Sequence, residues 1–532
     1  MTMLLTLSPT DLQQSVSIAA NDPRYGGTLV WGTINPPTLI NPVLTSHSIS
    51  ASILELLFDP LVHVDQHGQV VPALARSWEI SSDGLRYIFH LHPQVYFHDG
   101  VECTAEDVKF TYDAIQQASN NSPGRSHTEF VKEWQVLDRY TVEAVLEHPV
   151  SNFLLGVFRE ILPKHLYEHT DLAHNPHNYD PIGTGPFRFQ SWDQRTNEMV
   201  LTANEDYFEG RPFLDKVIVK TYADNSALWA ALMRGEVDFV NFLNQQDYQV
   251  LGKDRDFRTY QFPSGFCFAV DYNLKDPILR DREIRHAISY AVDREGLMQA
   301  LAINGIASNG PFYPLSPWFN KKIEPALYDP ERTQKILTAR GWKLGPEGIF
   351  KKTGRALILN ILVNRNRPDA RQMVLILRQQ LSEAGIALKP IFYDDDSQLT
   401  KSYLEKVKPQ MWFRMFYGLN GEPSKNVLSW YSSSSEFAQL WPYHNSQIDR
   451  LFKKGLGLQG DQRIKVYQEI QDLLYQDQPA CFLFFPVIYN AVSVRVENTE
   501  KFFNDFMPVY SIRKWFILNG KEVGYGNYQS RY

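Results

Sequence analysis

The sequence predicts an α/β protein in which mixed β-sheets are flanked by helices, and three observations carry that reading. "ALILNILVN" (356–364), "PDARQMVLILRQQLSEAG" (368–385) and "IALKPIFYD" (386–394) follow one another as strand, helix and strand. That order makes part of a sheet parallel. In "DREIRHAISYAVDREGLMQALA" (281–302), Ile284, Ala287, Ile288, Ala291 and Leu297 share one apolar stripe, and Arg285, Asp293 and Arg294 face away. This spacing predicts one continuous helix. Finally, "GGTLVWGT" (26–33) and "LRYIFHLHPQVYFHDG" (85–100) alternate apolar and polar residues and are rich in β-formers, as half-buried strands are.

The remaining elements follow in order. "ISASILELLFDPLV" (49–62) predicts a helix that stops before Pro60. Thr104 with Asp107 forms a variant capping box, and Val108, Tyr112 and Ile115 continue with helical spacing. "LDKVIVKTYAD" (214–224) predicts a strand, and "SALWAALMRGEVDFVNF" a helix ended near Gly235 with a strand behind it. "MWFRMFYGLNGEP" (411–423) gathers Trp412, Phe413, Phe416 and Tyr417 around Arg414 and ends in Asn420-Gly421 and Pro423. Asn-Gly and Pro there mark a turn. The rings either finish a strand that enters the core or line a cavity for a partly apolar guest.

At 532 residues the chain exceeds one core and implies three or four folding units. Hydrophobic content of 43% and charged content of 21% describe an ordinary globular protein. A net charge of −7 with no concentrated basic surface argues against nucleic-acid partners. Aromatic content of 13% leaves rings available for a binding surface as well as for cores. Cys103, Cys267 and Cys481 lie far apart, so no CxxC motif exists and at most one disulfide could form. No run reaches the ~18 apolar residues of a membrane span. Met3 to Leu7 is too short for the apolar core of an export signal, and no positive charge precedes it.

Familiar catalytic patterns are missing from the sequence: GxSxG, HExxH, the P-loop and GxGxxG. "HLYEHTDLAHNPH" places His165 and His169 one helical turn apart, with His174 and His177 following. With no cysteine or further carboxylate to complete the set, a surface helix end is the reading favoured over a zinc site. "YDDDSQ" (393–398) lacks the spaced ligands of a calcium loop and reads as a solvated acidic turn. No metal, cofactor or catalytic residue is expected.

"PALARSWEISSDGLRYIFHLHPQVYFHDGVECTAEDVKFTYDAI" (72–115) resembles the hallmark segment of the family 5 extracytoplasmic solute-binding proteins. The resemblance continues in family order through "ILPKHLYE", "PIGTGPFRF", "NEDYFEGRPFLDKVIVK", "MRGEVDFV", "LRDREIRHAISYAVDREGLM", "YDPERTQKIL" and "RQQLSEAGIALK". It covers about residues 26 to 515. It implies a two-lobed periplasmic-binding-protein fold with an additional domain, and a hinge between the lobes. Mapped onto this chain, 1–24 is a tail, 25–55, 184–268 and 493–532 form a discontinuous first lobe, 56–183 packs on it, and 269–492 is the second lobe. The crossings fall near 265–273 and 484–492, where Phe266, Phe268 and Tyr489 either face the ligand or pack.

The resemblance also implies candidate ligand contacts. In peptide-binding relatives the turn after 417 carries an aspartate that pairs with the peptide amine; here Leu419 holds that place, beside Asn420, with Glu422 on the acid-Pro position. Phe416 and Tyr417 would wall the cleft, and Arg414 would offer a fixed cation. Arg365, with Arg367 near it, matches the region where some relatives hold the peptide carboxylate. Thr45, Ser46 and His47 match a loop that lines the site in dipeptide binders.

The expected function is that of a monomeric extracytoplasmic protein, not an enzyme, delivering a peptide or peptide-like solute to the membrane permease of an ABC transporter. Alternatives are a non-peptide solute (an oligosaccharide, a metal chelate or an opine-like anion), an enzyme reusing the fold, or the sensor of a regulator; no helix-turn-helix or basic region precedes residue 26.

Overall fold

The computed structural model describes residues 22–45, 48–65, 69–125, 128, 130–150, 153–157, 159–316, 318–394, 399, 401–417, 431, 441, 443–458, 460–500 and 509–517. Two compact units emerge: Met1–Pro149, Phe153–Gln261 and Tyr489–Tyr532 in the first, Phe262–Ile488 with Val150–Asn152 in the second.

In the first unit, β1 (Thr28–Thr33) is followed by α1 (Ser48–Leu57), which ends two residues ahead of Asp59-Pro60. A separate antiparallel sheet comes next, made of β2 (Ala75–Ile80), β3 (Arg86–Leu91), β4 (Val131–Asp138) and β5 (Thr141–Leu146) in the order β2-β3-β5-β4. Between its strands lies α2 (Ala105–Gln116), which begins with the anticipated capping box at Thr104 and Asp107. Val108, Tyr112 and Ile115 of α2 are wholly buried, and the Tyr112 ring stacks on Trp134 at 4.3 Å. The larger sheet of the unit uses β1 with β6 (Phe187–Asp193), β7 (Glu198–Ala203), β8 (Lys216–Thr221) and β9 (Phe239–Leu243), helix α3 (Asn225–Met233) preceding β9. β1 runs parallel to both β8 and β9, while β7 is antiparallel to its neighbours β8 and β6.

The motif segments of this unit meet at one buried carboxylate. Asp59 accepts hydrogen bonds from Thr184 and Tyr207, both at 2.8 Å, so the turn after α1, "GTGP" and "NEDYFEG" are tied together. Gly183 and Gly185 let that loop lie against the end of α1; a Cβ on Gly183 would sit 2.0 Å from the Leu57 carbonyl oxygen. Burial lifts Asp59 to about 6 despite the two donors.

The second unit holds β10 (Phe266–Tyr272), α4 (Arg282–Tyr290), α5 (Arg294–Ala300), β11 (Gly305–Ala307), β12 (Ile358–Asn364), α6 (Pro368–Glu383), β13 (Ala387–Tyr393), β14 (Met411–Tyr417) and α7 (Gly460–Asp477). The last strand, β15 (Ala480–Ser493), belongs to this unit through Ile488 and to the first from Tyr489 onward. β12 is parallel to β13, as the strand–helix–strand order predicted, and also to β14, while β10 is antiparallel to β14 and β15.

One expectation fails here. Residues 281–302 are two helices, not one: α4 ends at Tyr290, and Asp293 starts α5 by accepting from the Gly296 amide at 2.9 Å. Arg285 and Arg294, placed on a solvent face by helical periodicity, are 5% and 4% exposed. Arg285 donates to the carbonyls of Gln478 and Leu279, and Arg294 to that of Phe482. Each guanidinium thus satisfies backbone acceptors that would otherwise be buried without partners.

Cys103, Cys267 and Cys481 are buried free thiols. Among the described residues no helix is long and apolar enough to cross a membrane, and no three His, Cys, Asp or Glu side chains gather as metal ligands. His165 instead bonds Asp99 at 2.7 Å and His174 bonds Asp171 at 2.8 Å.

Candidate functional site

Candidate residues fall on both units. In the second unit, β10 and β14 pair so that Phe266 lies opposite Tyr417, Cys267 opposite Phe416 and Ala269 opposite Arg414. Phe266 is half-buried at the open end of this ladder. Phe268 is 5% exposed and packs against Phe413 at 6.0 Å and Phe484 at 5.3 Å. Its ring belongs to the core of the unit, because alternation along β10 points it inward with Val270 and Tyr272. Phe416 and Tyr417 end β14; their side chains, and Leu419, Asn420 and Glu422, lie outside the described residues.

Arg414 departs from the expectation of a cation held ready for a solute. It is buried and ion-paired with Asp271, a residue of β10 diagonal to it in the ladder. Tyr431 adds its hydroxyl to the same carboxylate at 3.2 Å. Burial raises the Asp271 carboxyl, and the adjoining guanidinium opposes that rise. A carboxylate one diagonal away neutralises the arginine within the protein. Arg365 is exposed and meets Asp394 at 3.3 Å, while Arg367 pairs with Asp369 at 3.2 Å and lies 6.0 Å from the Phe268 ring centre. These two guanidiniums remain solvent-accessible at the start of α6.

In the first unit, Thr45 is buried and its hydroxyl closes a loop, donating to the Leu39 carbonyl at 3.0 Å and accepting from the Asn41 amide at 3.2 Å. Both hydroxyl functions therefore serve the loop. Ser46 and His47 lie outside the described residues. Tyr489 is 3% exposed and packs against Tyr248, the two rings tilted by 37° with centres 4.5 Å apart. The ends of β1 and β9 flank a recess of about 50 Å³ with Trp229 of α3 in its wall. No candidate from the sequence lies there.

The profile of the "Bacterial extracellular solute-binding proteins, family 5 Middle" matches residues 69–438. The chain belongs to this family. The oligopeptide-binding protein AppA of Bacillus subtilis is 29% identical over 518 residues, covering 94% of either chain. Its solved structure with a nonapeptide superposes with a TM-score of 0.79, covering 93% of this chain and 100% of that one at 28% identity. NikZ of Campylobacter jejuni, solved with Ni(L-His), gives a TM-score of 0.78 at 26% identity, over 92% and 99% of the two chains. The heme-binding protein A of Haemophilus influenzae is 26% identical over 88% of this chain and 89% of its own. The family 5 fold, a two-lobed periplasmic binding protein, is thus the fold of this chain.

Two features escaped the sequence. Asp271 gave no signal, since a lone acid in a β-run ("FCFAVDY") looks like an edge or a turn. Phe242 gave none either, because a left-handed backbone normally selects Gly or Asn, and here the Asn is its neighbour, Asn241.

Proposed function

We propose that this family 5 protein is an extracytoplasmic solute-binding protein that carries a peptide or peptide-like solute to an ABC permease and performs no chemistry. One observation carries the reading: the chain runs end to end with an oligopeptide-binding relative, with 94% of each covered, and the family profile spans its centre. Besides the three-residue excursion at 150–152, the chain passes between the units at 261/262 and 488/489, and these two crossings support closure about a hinge around the solute. The stretch 56–183, with a sheet of its own, is proposed as an additional domain of the first lobe. The protein acts as a monomer, with the permease as its partner.

A second reading, a non-peptide solute, is favoured by a specific observation. Leucine occupies position 419, where the peptide-binding pattern has an acid, and the similar NikZ was solved with a nickel–histidine complex. Native mass spectrometry of the purified protein separates the readings by the mass of a carried-over guest. A peptide series supports the first; a metal chelate or sugar overturns it.

A further inference from the structure

A small sheet of the second unit carries positive charge that its own fold does not neutralise. It has three short strands, Lys343–Leu344, Phe350–Lys352 and Arg355–Ala356, each antiparallel to the next. Phe350 anchors it, 2% exposed, with its amide donating to the Gly385 carbonyl at 2.9 Å. Lys343, Leu344, Lys352 and Arg355 stand in solvent. Between 340 and 355 there are five cations (Arg340, Lys343, Lys351, Lys352 and Arg355) against one acid, Glu347, in a chain whose net charge is −7.

Strand register sets these cations against one another. Lys343 lies directly opposite Lys351, and Lys352 directly opposite Arg355. Like charges facing each other across antiparallel strands are destabilising. Internal partners offset part of this cost. Glu347 pairs with Lys351 at 2.8 Å, Asp281 pairs with Arg340 at 2.7 Å, and Lys352 donates to the Arg340 carbonyl at 2.7 Å. Lys343 and Arg355 have no ion pair among the described residues. A lysine on an edge strand is a common guard against sheet-to-sheet aggregation. That guard needs no second cation facing it, yet here the central strand supplies Lys351 and Lys352.

We propose that this sheet is a docking surface for an anionic lipid membrane. Alternation along the strands puts Lys343 and Lys351 on one face and Lys352 and Arg355 on the other. Charge spread over both faces suits a continuous layer of headgroups better than one shaped acidic epitope on a protein. Three of the five cations are lysines, whose hydrated ammonium groups act as point charges; recognition of a single carboxylate favours the arginine fork. Leu344, 55% exposed beside Lys343, offers an apolar side chain to the headgroup layer. The proposal rests on the extracytoplasmic carrier reading, which puts the protein beside a membrane, and adds that the second unit is attracted to the lipid itself.

The test is co-sedimentation of the full chain, without solute, with vesicles of phosphatidylcholine alone and of phosphatidylcholine with an equal part of phosphatidylglycerol, at low and at high salt. Wild type should bind the anionic vesicles alone and lose them at high salt. Lys343→Gln combined with Arg355→Gln should weaken that binding about 30-fold, from about fivefold for each cation near a lipid surface. Arg195→Gln combined with Lys253→Gln removes the same charge from the first unit and should leave binding unchanged. In free solution Lys343→Gln should melt no lower than wild type, since it relieves the pair with Lys351. Wild type that binds neither vesicle, or both equally, overturns the proposal. So does a Lys343/Arg355 double variant that binds like wild type, and so do equal losses in the two double variants, which would assign the attraction to overall charge. If the Lys343/Arg355 double variant fails to fold, Lys343→Gln alone decides, with a fivefold loss expected and no loss overturning the proposal. The vesicles hold neither permease nor solute, so a failure here leaves the carrier reading standing, and that reading falls only on the identity of a carried-over guest.

Discussion

Arg414 and Asp271 form an ion pair across adjacent strands, and both side chains lie almost wholly inside the second unit. The pair is a buried structural charge, so its worth shows only when one partner is removed. Arg414→Met strands the Asp271 carboxylate and should cost about 3–5 kcal/mol, whereas Arg414→Met with Asp271→Leu should recover most of that loss. Urea unfolding of the two single variants and the double variant measures the coupling. Additive losses would show that the charges do not depend on each other.

Burial raises Glu160 from 4.5 to about 7 and Asp59 from 3.8 to about 6. Between about pH 4.5 and 7 the folded protein keeps a proton on Glu160 that the unfolded chain has released. This contribution to stability is fully present below pH 4.5 and is lost as pH rises through 7. His63, lowered to about 3, and His98, lowered to about 4, act oppositely, losing stability as pH falls below 6.5. A variant at Glu160 alone isolates its share from theirs. Glu160→Gln should be more stable than wild type at pH 8, by up to about 3 kcal/mol from the gap between 4.5 and 7, with the advantage shrinking as pH falls and gone below about pH 4. An advantage independent of pH would mean the carboxyl titrates normally.

If position 419 faces the solute, as the resemblance implies, its leucine leaves a peptide's α-amine without a partner, and an ammonium entering a closed apolar site loses several kcal/mol of hydration, orders of magnitude in affinity. Wild type should therefore bind N-acetylated short peptides at least as well as free ones, and Leu419→Asp should gain affinity for the free amines. Calorimetry on both proteins decides it. Tight wild-type binding that acetylation abolishes would show that another acid does the pairing.

A solute that binds only the closed form should stabilise the protein by about 2.7 kcal/mol at a hundredfold excess over its Kd. It should also lower the radius of gyration. Thermal shift ranks peptides, sugars and chelates, and small-angle scattering on the best of them tests closure. A solute that raises the melting temperature while leaving the scattering curve unchanged would argue against hinge closure.

Elements whose side chains answer to local rules can be read from the amino-acid order alone. The capping box at Thr104 and Asp107 and the strand–helix–strand run from 356 to 394 both follow from spacing that neighbours along the chain enforce. Ordered motif segments such as "GTGP" and "NEDYFEG" identified the family, although their structural work, holding Asp59, needs partners 125 and 148 positions away. Which charges lie inside depends on contacts between distant parts of the chain. Arg285 and Arg294 look like a polar helix face until backbone carbonyls from 478 and 482 meet them. Arg414 looks like a ligand's cation until Asp271 appears one diagonal away on the next strand. The strained Phe242 and its Asn490 partner, 248 positions apart, are likewise invisible to periodicity. The physical reason is common to all three: a buried polar group is tolerated only with a partner, and that partner is set by strand register and packing, not by proximity in the chain.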